Sequence, residues 1–203
     1  MMKITHNGHF RALRNGLAVS MLGLLLAACA GGDRQIVTAS APVAFTTGST
    51  IAVMPFDNLT NSEEAGQVAS YLAVSALRAS TGFAVQEEGN VAQTYGSLDS
   101  ENNATAAIGS HSSVSARQLG EILGVEYVLT GSVSEYGYQY GLREEPSVSM
   151  NMRLVQISDG TTVWTASSGI VGQGTFARDS VSIIAQRLVN QMVDKMTRNT
   201  VAK

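Results

Sequence analysis

The segment Val125–Tyr140 reads VEYVLTGSVSEYGYQY, and Val148–Leu154, a short turn later, reads VSMNMRL. In the second segment apolar and polar residues alternate strictly, which is the pattern of a strand with one buried face. The first segment is long and rich in β-branched and aromatic residues, so it predicts a strand. Because side chains alternate along a strand, Tyr136, Tyr138 and Tyr140 are expected on one face.

Downstream of these two strands the sequence predicts a hairpin and a final helix. Asp159-Gly160 is a typical hairpin turn, and Thr161–Ser167 returns as a strand that carries Trp164. The last helix is expected to open at Asp179 or Thr175. Its apolar stripe repeats at helical spacing and consists of Val181, Ile184, Ala185, Leu188, Met192 and Met196.

Upstream, the sequence predicts a strand, a helix and a second strand. Ile51–Phe56 is expected as a short strand ended by its proline, and Glu63–Ser80 as a helix capped by Asn61 or Ser62. Phe83–Val85 predicts the next strand. The buried stripe predicted for this helix is Val68, Leu72, Ser75, Ala76 and Ala79.

Between these elements and the long strand the pattern weakens. Val91–Tyr95 suggests the start of a helix, whereas Gly96–Ser113 is rich in Ser, Asn, Ala and Gly and predicts a mobile loop. Ser115–Leu123 predicts a helix with Gly124 as its C-cap. The resulting order, β-α-β-(α)-α-β-β-β-α, predicts an α/β fold: a two-layer sandwich of a mixed sheet with helices packed on one face.

The first 28 residues have the layout of a secretory signal peptide. A leader with basic residues and no acids precedes the apolar run Gly16–Ala28, which at 13 residues is shorter than the ~20 that span a bilayer. The run ends in LAAC at Cys29, the only cysteine, and resembles a bacterial lipobox. This resemblance implies that the Cys29 sulfur is alkylated with diacylglycerol, that the chain is then cleaved before Cys29, and that the new N-terminus receives an N-acyl chain such as palmitate. The alternative is an uncleaved signal anchor with a free thiol.

The lipid would fix the protein to a membrane, because two or more acyl chains give stable anchoring. In other lipoproteins an Asp after the lipidated cysteine retains the protein in the inner membrane; here the residue is Ala30. We therefore expect the periplasmic face of the outer membrane. Residues 29–49 predict a flexible tether with a mean reach on the order of 25 Å. Residues 50–199 form the expected folded domain.

Charge and residue usage narrow the function. The chain carries a net charge of −3, and removal of Lys3, Arg11 and Arg14 with the signal leaves ten basic against sixteen acidic residues, a net charge of −6. This acidity argues against nucleic acid as a binding partner and is compatible with a cationic partner. After cleavage His111 is the only histidine, and no nucleophile–base pair or metal-ligand spacing stands out. We expect no enzyme, no metal and no cofactor beyond the lipid.

Four fragments in order carry a resemblance to a known family: IAVMPFDNLT (51–60), VEYVLTGSV (125–133), RLVQISDGTTVWTAS (153–167) and the closing amphipathic helix. They resemble the CsgG-like periplasmic outer-membrane lipoproteins. YGLREEPSV (140–148) is similar to the branch of PelC, the lipoprotein of Pel exopolysaccharide export.

This resemblance implies a homo-oligomeric ring that guides a cationic polysaccharide to an outer-membrane export channel during biofilm formation. The alternative is an LpoB-like activator of a peptidoglycan synthase, or another CsgG-like secretion accessory protein. The ~20-residue tether favours a protein that stays close to the outer membrane.

Several residues are candidates for contact. Glu144 and Glu145, in the turn predicted at 141–146, and Asp159, in the next turn, are candidates for binding polymer; the alternative is ordinary solvated acids. Phe176, in a Gly-rich loop, is a candidate for the bilayer surface or for a hydrophobic staple before the last helix. Trp164 and the three tyrosines of 136–140 are candidates for the core or a subunit interface, and Trp164 also for a ligand platform.

Overall fold

The computed structural model describes residues 34–41, 43–46, 48–80, 82–105, 114–140, 144–172 and 179–197. All of them belong to one compact unit that begins at Arg34. The predicted signal peptide, Cys29 and Phe176 lie outside the described residues.

The described strands form one mixed sheet in the order β1-β7-β6-β5-β2-β4, with β3 pairing β5 off this path. Strands β5, β6, β7 and β1 are antiparallel neighbours, whereas β2 runs parallel to both β5 and β4. The strands are β1 (Arg34–Ala39), β2 (Ser49–Val53), β3 (Asp57–Asn58), β4 (Phe83–Val85), β5 (Tyr127–Tyr140), β6 (Glu144–Gln156) and β7 (Thr162–Val171).

The described helices are α1 (Ala65–Ala79), α2 (Glu88–Thr105), α3 (Ala116–Leu123) and α4 (Val181–Thr197). Helices α1 and α4 pack against each other and against one face of the sheet. The main core between these layers includes Ile51, Leu129, Met150, Met152, Leu154, Trp164, Leu188 and Met192. The alternating apolar residues of β6 all face this core, as the sequence pattern predicted.

A smaller second core lies on the other face of the sheet. Ala52 and Val128 alternate with the main-core residues of their strands and pack with Val91, Leu98 and Leu119 of α2 and α3. The predicted α/β class is confirmed, and the structure adds these helices on the second face.

The domain includes part of the segment predicted as tether. Strand β1 pairs with β7 from Arg34 opposite Val171 to Ala39 opposite Ala166. Phe45 makes edge-to-face contacts with Phe83 and Tyr127, with ring centroids 4.7 and 5.4 Å apart. From Arg34 onward, described residues predicted as flexible linker therefore belong to the folded domain.

The predicted face of α1 is wrong in part. Of the predicted stripe, Ala76 is buried and Leu72 packs against the main core, whereas Ser75 and Ala79 are exposed. The buried residues are mainly small ones, among them Ala65, Ala69 and Ala73. Small residues let the helix approach the segment between β2 and β3 closely: a Cβ on Gly66 would overlap the carbonyl oxygen of Phe56. Val68 and Leu72, the larger apolar residues on which the predicted stripe was based, are only half-buried.

The predicted cap of α1 is also wrong. The helix begins at Ala65 with Glu64 as N-cap and without a side-chain cap hydrogen bond. Instead Asn58 organises the preceding turn, because its Nδ2 donates to the carbonyl oxygens of Ser62 (2.6 Å) and Glu63 (3.2 Å).

Helix α2 corrects the loop predicted at Gly96–Ser113. The helix continues to Thr105, and residues 106–113 lie outside the described part. The segment lacks a full apolar stripe, but Val91, Tyr95 and Leu98 follow i, i+4, i+7 spacing and pack in or against the second core.

The caps of the last two helices agree closely with the sequence. Ser115 Oγ accepts a backbone N–H from the first turn of α3 at 3.1 Å, and Gly124 ends that helix with φ of 65°. Ser180 Oγ accepts the N–H of Ile183 at 3.2 Å, so α4 is capped one residue after the predicted Asp179. The predicted stripe of α4 is buried throughout. None of the described helices is long and apolar enough to cross a bilayer.

Candidate functional site

A groove of about 450 Å³, lined by both polar and apolar residues, opens on the second face of the sheet, beyond the part that α2 and α3 cover. Strands β1, β5, β6 and β7 form its floor. The polar or small residues that line it from this face are Thr38, Glu135, Ser147, Ser149, Ser167 and Gly169, and apolar residues such as Val171 supply much of the remaining surface.

Glycines keep this floor flat. Gly169 lies opposite Ser149 in the β6–β7 register, and Gly137 lies opposite Ser147 in the β5–β6 register. A Cβ at Gly169 would meet Ser149 Oγ at 3.5 Å, and one at Gly137 would meet no described atom within 4 Å. A flat ligand could therefore approach the hydroxyl groups of the strands closely.

A β-bulge places a carboxylate in the groove. The register of β5 against β6 shifts between Val133 and Glu135. Without this extra residue, Glu135 would share the buried face of Val133, because side chains alternate along a strand. With it, Glu135 faces the groove and Tyr136 turns toward the main core.

Gln139 forms hydrogen bonds with two side chains of the groove. Its Nε2 donates to Glu135 Oε1 and, at 3.4 Å, to Ser147 Oγ. A cross-strand hydrogen bond of 2.6 Å from Asn151 Nδ2 to Ser132 Oγ adds a further polar pair beside it. The groove therefore offers hydroxyl oxygens and a carboxylate already positioned by an amide.

The predicted acidic pair is divided between the two faces. Glu144 and Glu145 lie in β6, where they pair with Tyr140 and Gln139, and not in a turn. Only Glu145 shares the face of Ser147, because the two are two residues apart in the strand. The prediction that both acids lie in a loop is wrong, because β6 begins earlier than its apolar alternation does.

Asp159 lies at the opposite end of the sheet, in the β6–β7 turn. Its Oδ1 accepts hydrogen bonds from the N–H (2.9 Å) and the hydroxyl (2.8 Å) of Thr161. The backbone hydrogen bond from Thr161 lowers the pKa of this carboxyl below its usual value. At ~3.3 Å per strand residue it is roughly 35 Å from Glu145, so the three predicted acids do not form one site.

The aromatic candidates have different environments. Trp164 is 1% exposed in the main core, and no described atom accepts a hydrogen bond from its Nε1. Tyr136 is half-buried against the same core, whereas Tyr138 is 47% exposed. Tyr140 ends β5.

Sequence reasoning missed the groove residues Glu135, Gln139, Ser149 and Ser167. The signal for the serines was present, because the polar half of the β6 alternation must face away from the core. The orientation of Glu135 carried no such signal, because it depends on the bulge. Within the described residues, no three His, Cys, Asp or Glu side chains converge as metal ligands.

Comparison with known proteins identifies the class. A family model for GNA1162-like lipoproteins matches residues 44–202, so the chain belongs to the GNA1162-like lipoprotein family. No curated protein matches the sequence.

Among solved structures, the PelC dodecamer from Paraburkholderia phytofirmans is similar at 22% identity and a TM-score of 0.60, covering 80% of this chain and 97% of PelC. Lipoprotein GNA1162 from Neisseria meningitidis is 27% identical with a TM-score of 0.49, over 72% of this chain and 99% of that one. The LpoB C-terminal domain from Salmonella enterica is 21% identical with a TM-score of 0.44, over 65% and 88%. The predicted resemblance to PelC-like lipoproteins is confirmed.

Proposed function

We propose that this lipoprotein is a ring-forming accessory subunit of a Pel-type exopolysaccharide exporter. It collects a cationic polysaccharide at the periplasmic face of the outer membrane and guides it to an outer-membrane channel. The sheet groove with the carboxylate of Glu135 is the observation that carries this proposal. The PelC fold, solved as a dodecamer, supports the assembly.

The chemistry of the groove matches an amino-sugar polymer. The hydroxyls of Ser149 and Ser167 can exchange hydrogen bonds with sugar hydroxyls, and Glu135 can pair with an ammonium group. Each exposed ion pair contributes only about 0.2–1 kcal/mol. A guide for a moving polymer needs such weak contacts, and their repetition around a ring supplies the overall attraction.

The position of β1 favours a protein held close to the membrane. Strand β1 begins at Arg34, five residues after the predicted lipid attachment at Cys29. Five residues span at most about 18 Å when fully extended. This reach suits a subunit under the outer membrane better than an activator that must cross the cell wall.

A binding measurement tests the groove. The full lipidated chain in detergent is titrated with a glucosamine hexamer by calorimetry. Glu135→Gln is expected to weaken binding by about two- to five-fold because one ion pair is lost. Glu121→Gln, an exposed carboxylate on α3, is the matched control and should leave binding unchanged.

A second variant and a second oligosaccharide complete this binding test. Gly169→Val should narrow the groove and weaken binding while the unfolding curve stays the same. The N-acetylglucosamine hexamer, which lacks the ammonium groups, should bind less tightly than the glucosamine hexamer. Equal binding of both hexamers, or no effect of Glu135→Gln, would contradict the proposal.

A further inference from the structure

The chain connections leave a crevice at the carboxyl ends of β2 and β4. These neighbouring parallel strands are followed by helices on opposite faces of the sheet: β2 leads to α1 beside the main core, and β4 leads to α2 beside the second core. Where connections from adjacent strands diverge in this way, open α/β sheets commonly bind ligands.

A cleft of about 340 Å³ occupies this position. It lies between α1, the first turn of α2 and the segment that follows β2. Its lining includes the buried side chains of Val53, Phe56, Val74 and Val91, which contribute apolar surface. The volume is near the lower end of the range for small-molecule sites, which leaves room for one or two side chains of a partner.

An exposed aromatic ring forms one wall of the cleft. Tyr71 of α1 is 48% exposed, and its hydroxyl accepts a hydrogen bond of 3.0 Å from Gln67 Nε2. The hydrogen bond between these residues, one helical turn apart, restrains the ring. The exposed Ala92 of α2 also lines the cleft and adds little bulk.

The charged residues that line the cleft are both acidic. They are Glu63, before α1, and Glu88, at the start of α2. Arg78 reaches Glu88 at 3.6 Å but also Glu87 at 3.4 Å, so its guanidinium is shared between two carboxylates. An apolar lining with an acidic excess complements an apolar group flanked by positive charge.

We propose that this crevice is a docking site for a partner protein, and that it takes an aromatic side chain flanked by Lys or Arg. The apolar lining suits an aromatic side chain, and the exposed Tyr71 offers a surface for stacking and for cation–π contact. The crevice shares no lining residue with the groove that contains Glu135. The inference therefore goes beyond the proposed function and does not depend on it.

Two model peptides test the proposal on the full chain in detergent. Acetyl-Lys-Trp-Lys-amide is expected to bind saturably by calorimetry, and acetyl-Glu-Trp-Glu-amide at least tenfold more weakly. Ala92→Trp should fill the crevice and raise the Kd of the lysine peptide at least tenfold. Ala79→Trp, an exposed alanine at the end of α1, is the matched control and should leave the Kd unchanged.

A second pair of measurements separates the contribution of charge to peptide binding from that of the apolar contact. The double variant Glu63→Gln/Glu88→Gln should weaken binding of the lysine peptide but not of acetyl-Gln-Trp-Gln-amide. Unfolding curves that match the parent protein exclude misfolding as the cause. Absence of saturable peptide binding, or an Ala92→Trp variant that binds normally, would overturn the proposal. Binding of a glucosamine hexamer that Ala92→Trp abolishes, without peptide binding, would also overturn it.

Discussion

Two glycines of β5 have opposite surroundings, although they lie on the same strand. A Cβ at Gly131 would overlap the carbonyl oxygen of Asn151 and approach the ring of Phe56 to 2.9 Å. A Cβ at Gly137 would meet no described atom within 4 Å. The difference arises because Gly131 faces the core and Gly137 faces the groove.

We expect Gly131→Ala to destabilise the protein by about 1–3 kcal/mol, because a backbone oxygen cannot move aside as a flexible side chain can. Gly137→Ala should be neutral or slightly stabilising, since alanine restricts the unfolded chain without meeting a neighbour. Urea unfolding of both variants measures the difference. Equal stability of the two would show that the packing around Gly131 is looser than described.

Asp159 predicts a pH dependence. Its pKa is lowered in the folded state, mainly by the N–H of Thr161, from an ordinary value of 3.8. A lowered folded pKa stabilises the protein above the unfolded pKa, and this contribution is lost as the pH falls through the folded pKa. Wild type should therefore exceed Asp159→Asn in stability near neutral pH, and the gap should narrow below about pH 3.8. A gap that does not change with pH would contradict this account.

At the scale of residues, sequence patterns predicted what depends on alternation and on local turns. The turn at Asp159-Gly160 and the C-cap at Gly124 could be predicted because each depends only on residues nearby in the sequence. The orientation of Glu135 could not be predicted, because one extra residue in the bulge reverses the alternation after it. The main residue of the candidate site was missed for this reason.

At the scale of elements, α1 shows that a prediction based on large apolar residues fails where a helix buries mainly small ones. Its buried face combines alanines, which permit close packing, with Val74 and Leu77, whereas the equally large Val68 and Leu72 are only half-buried. We expect Ala73→Leu to destabilise the fold by about 1–3 kcal/mol through overpacking. Ser75→Leu, on the exposed side of the same helix, should change stability by less than about 0.5 kcal/mol. Thermal or urea unfolding checks both, and a larger loss for Ser75→Leu would support the originally predicted face.

Strand β1 and helix α2 were not predictable from periodicity alone. Within the described sheet, β1 pairs with β7 alone, and the pairing of backbone groups does not require an apolar pattern. Helix α2 buries few residues, so its sequence resembles a polar loop. By contrast, α4 packs along its length on the main core: every residue of its predicted stripe is buried, and Val189 and Val193, which were not predicted, are buried with them.

At the scale of the whole molecule, the order of elements and the family fragments were enough for the α/β class. The groove and the crevice are products of the assembled sheet, and residues distant in sequence line both. The lipid at Cys29 remains a prediction. Cys29→Ser should release the protein from membranes during fractionation, while the unfolding curve of the domain stays the same. Continued membrane association would argue against the lipid anchor.

The assembly state tests the central claim that this lipoprotein works as a ring-forming subunit. Sedimentation analysis of the full lipidated chain in detergent, corrected for bound detergent, gives the mass of the protein assembly. The account predicts one discrete species whose mass is a multiple of the subunit mass, with closed rings visible by electron microscopy. A monomer at all concentrations tested would contradict it.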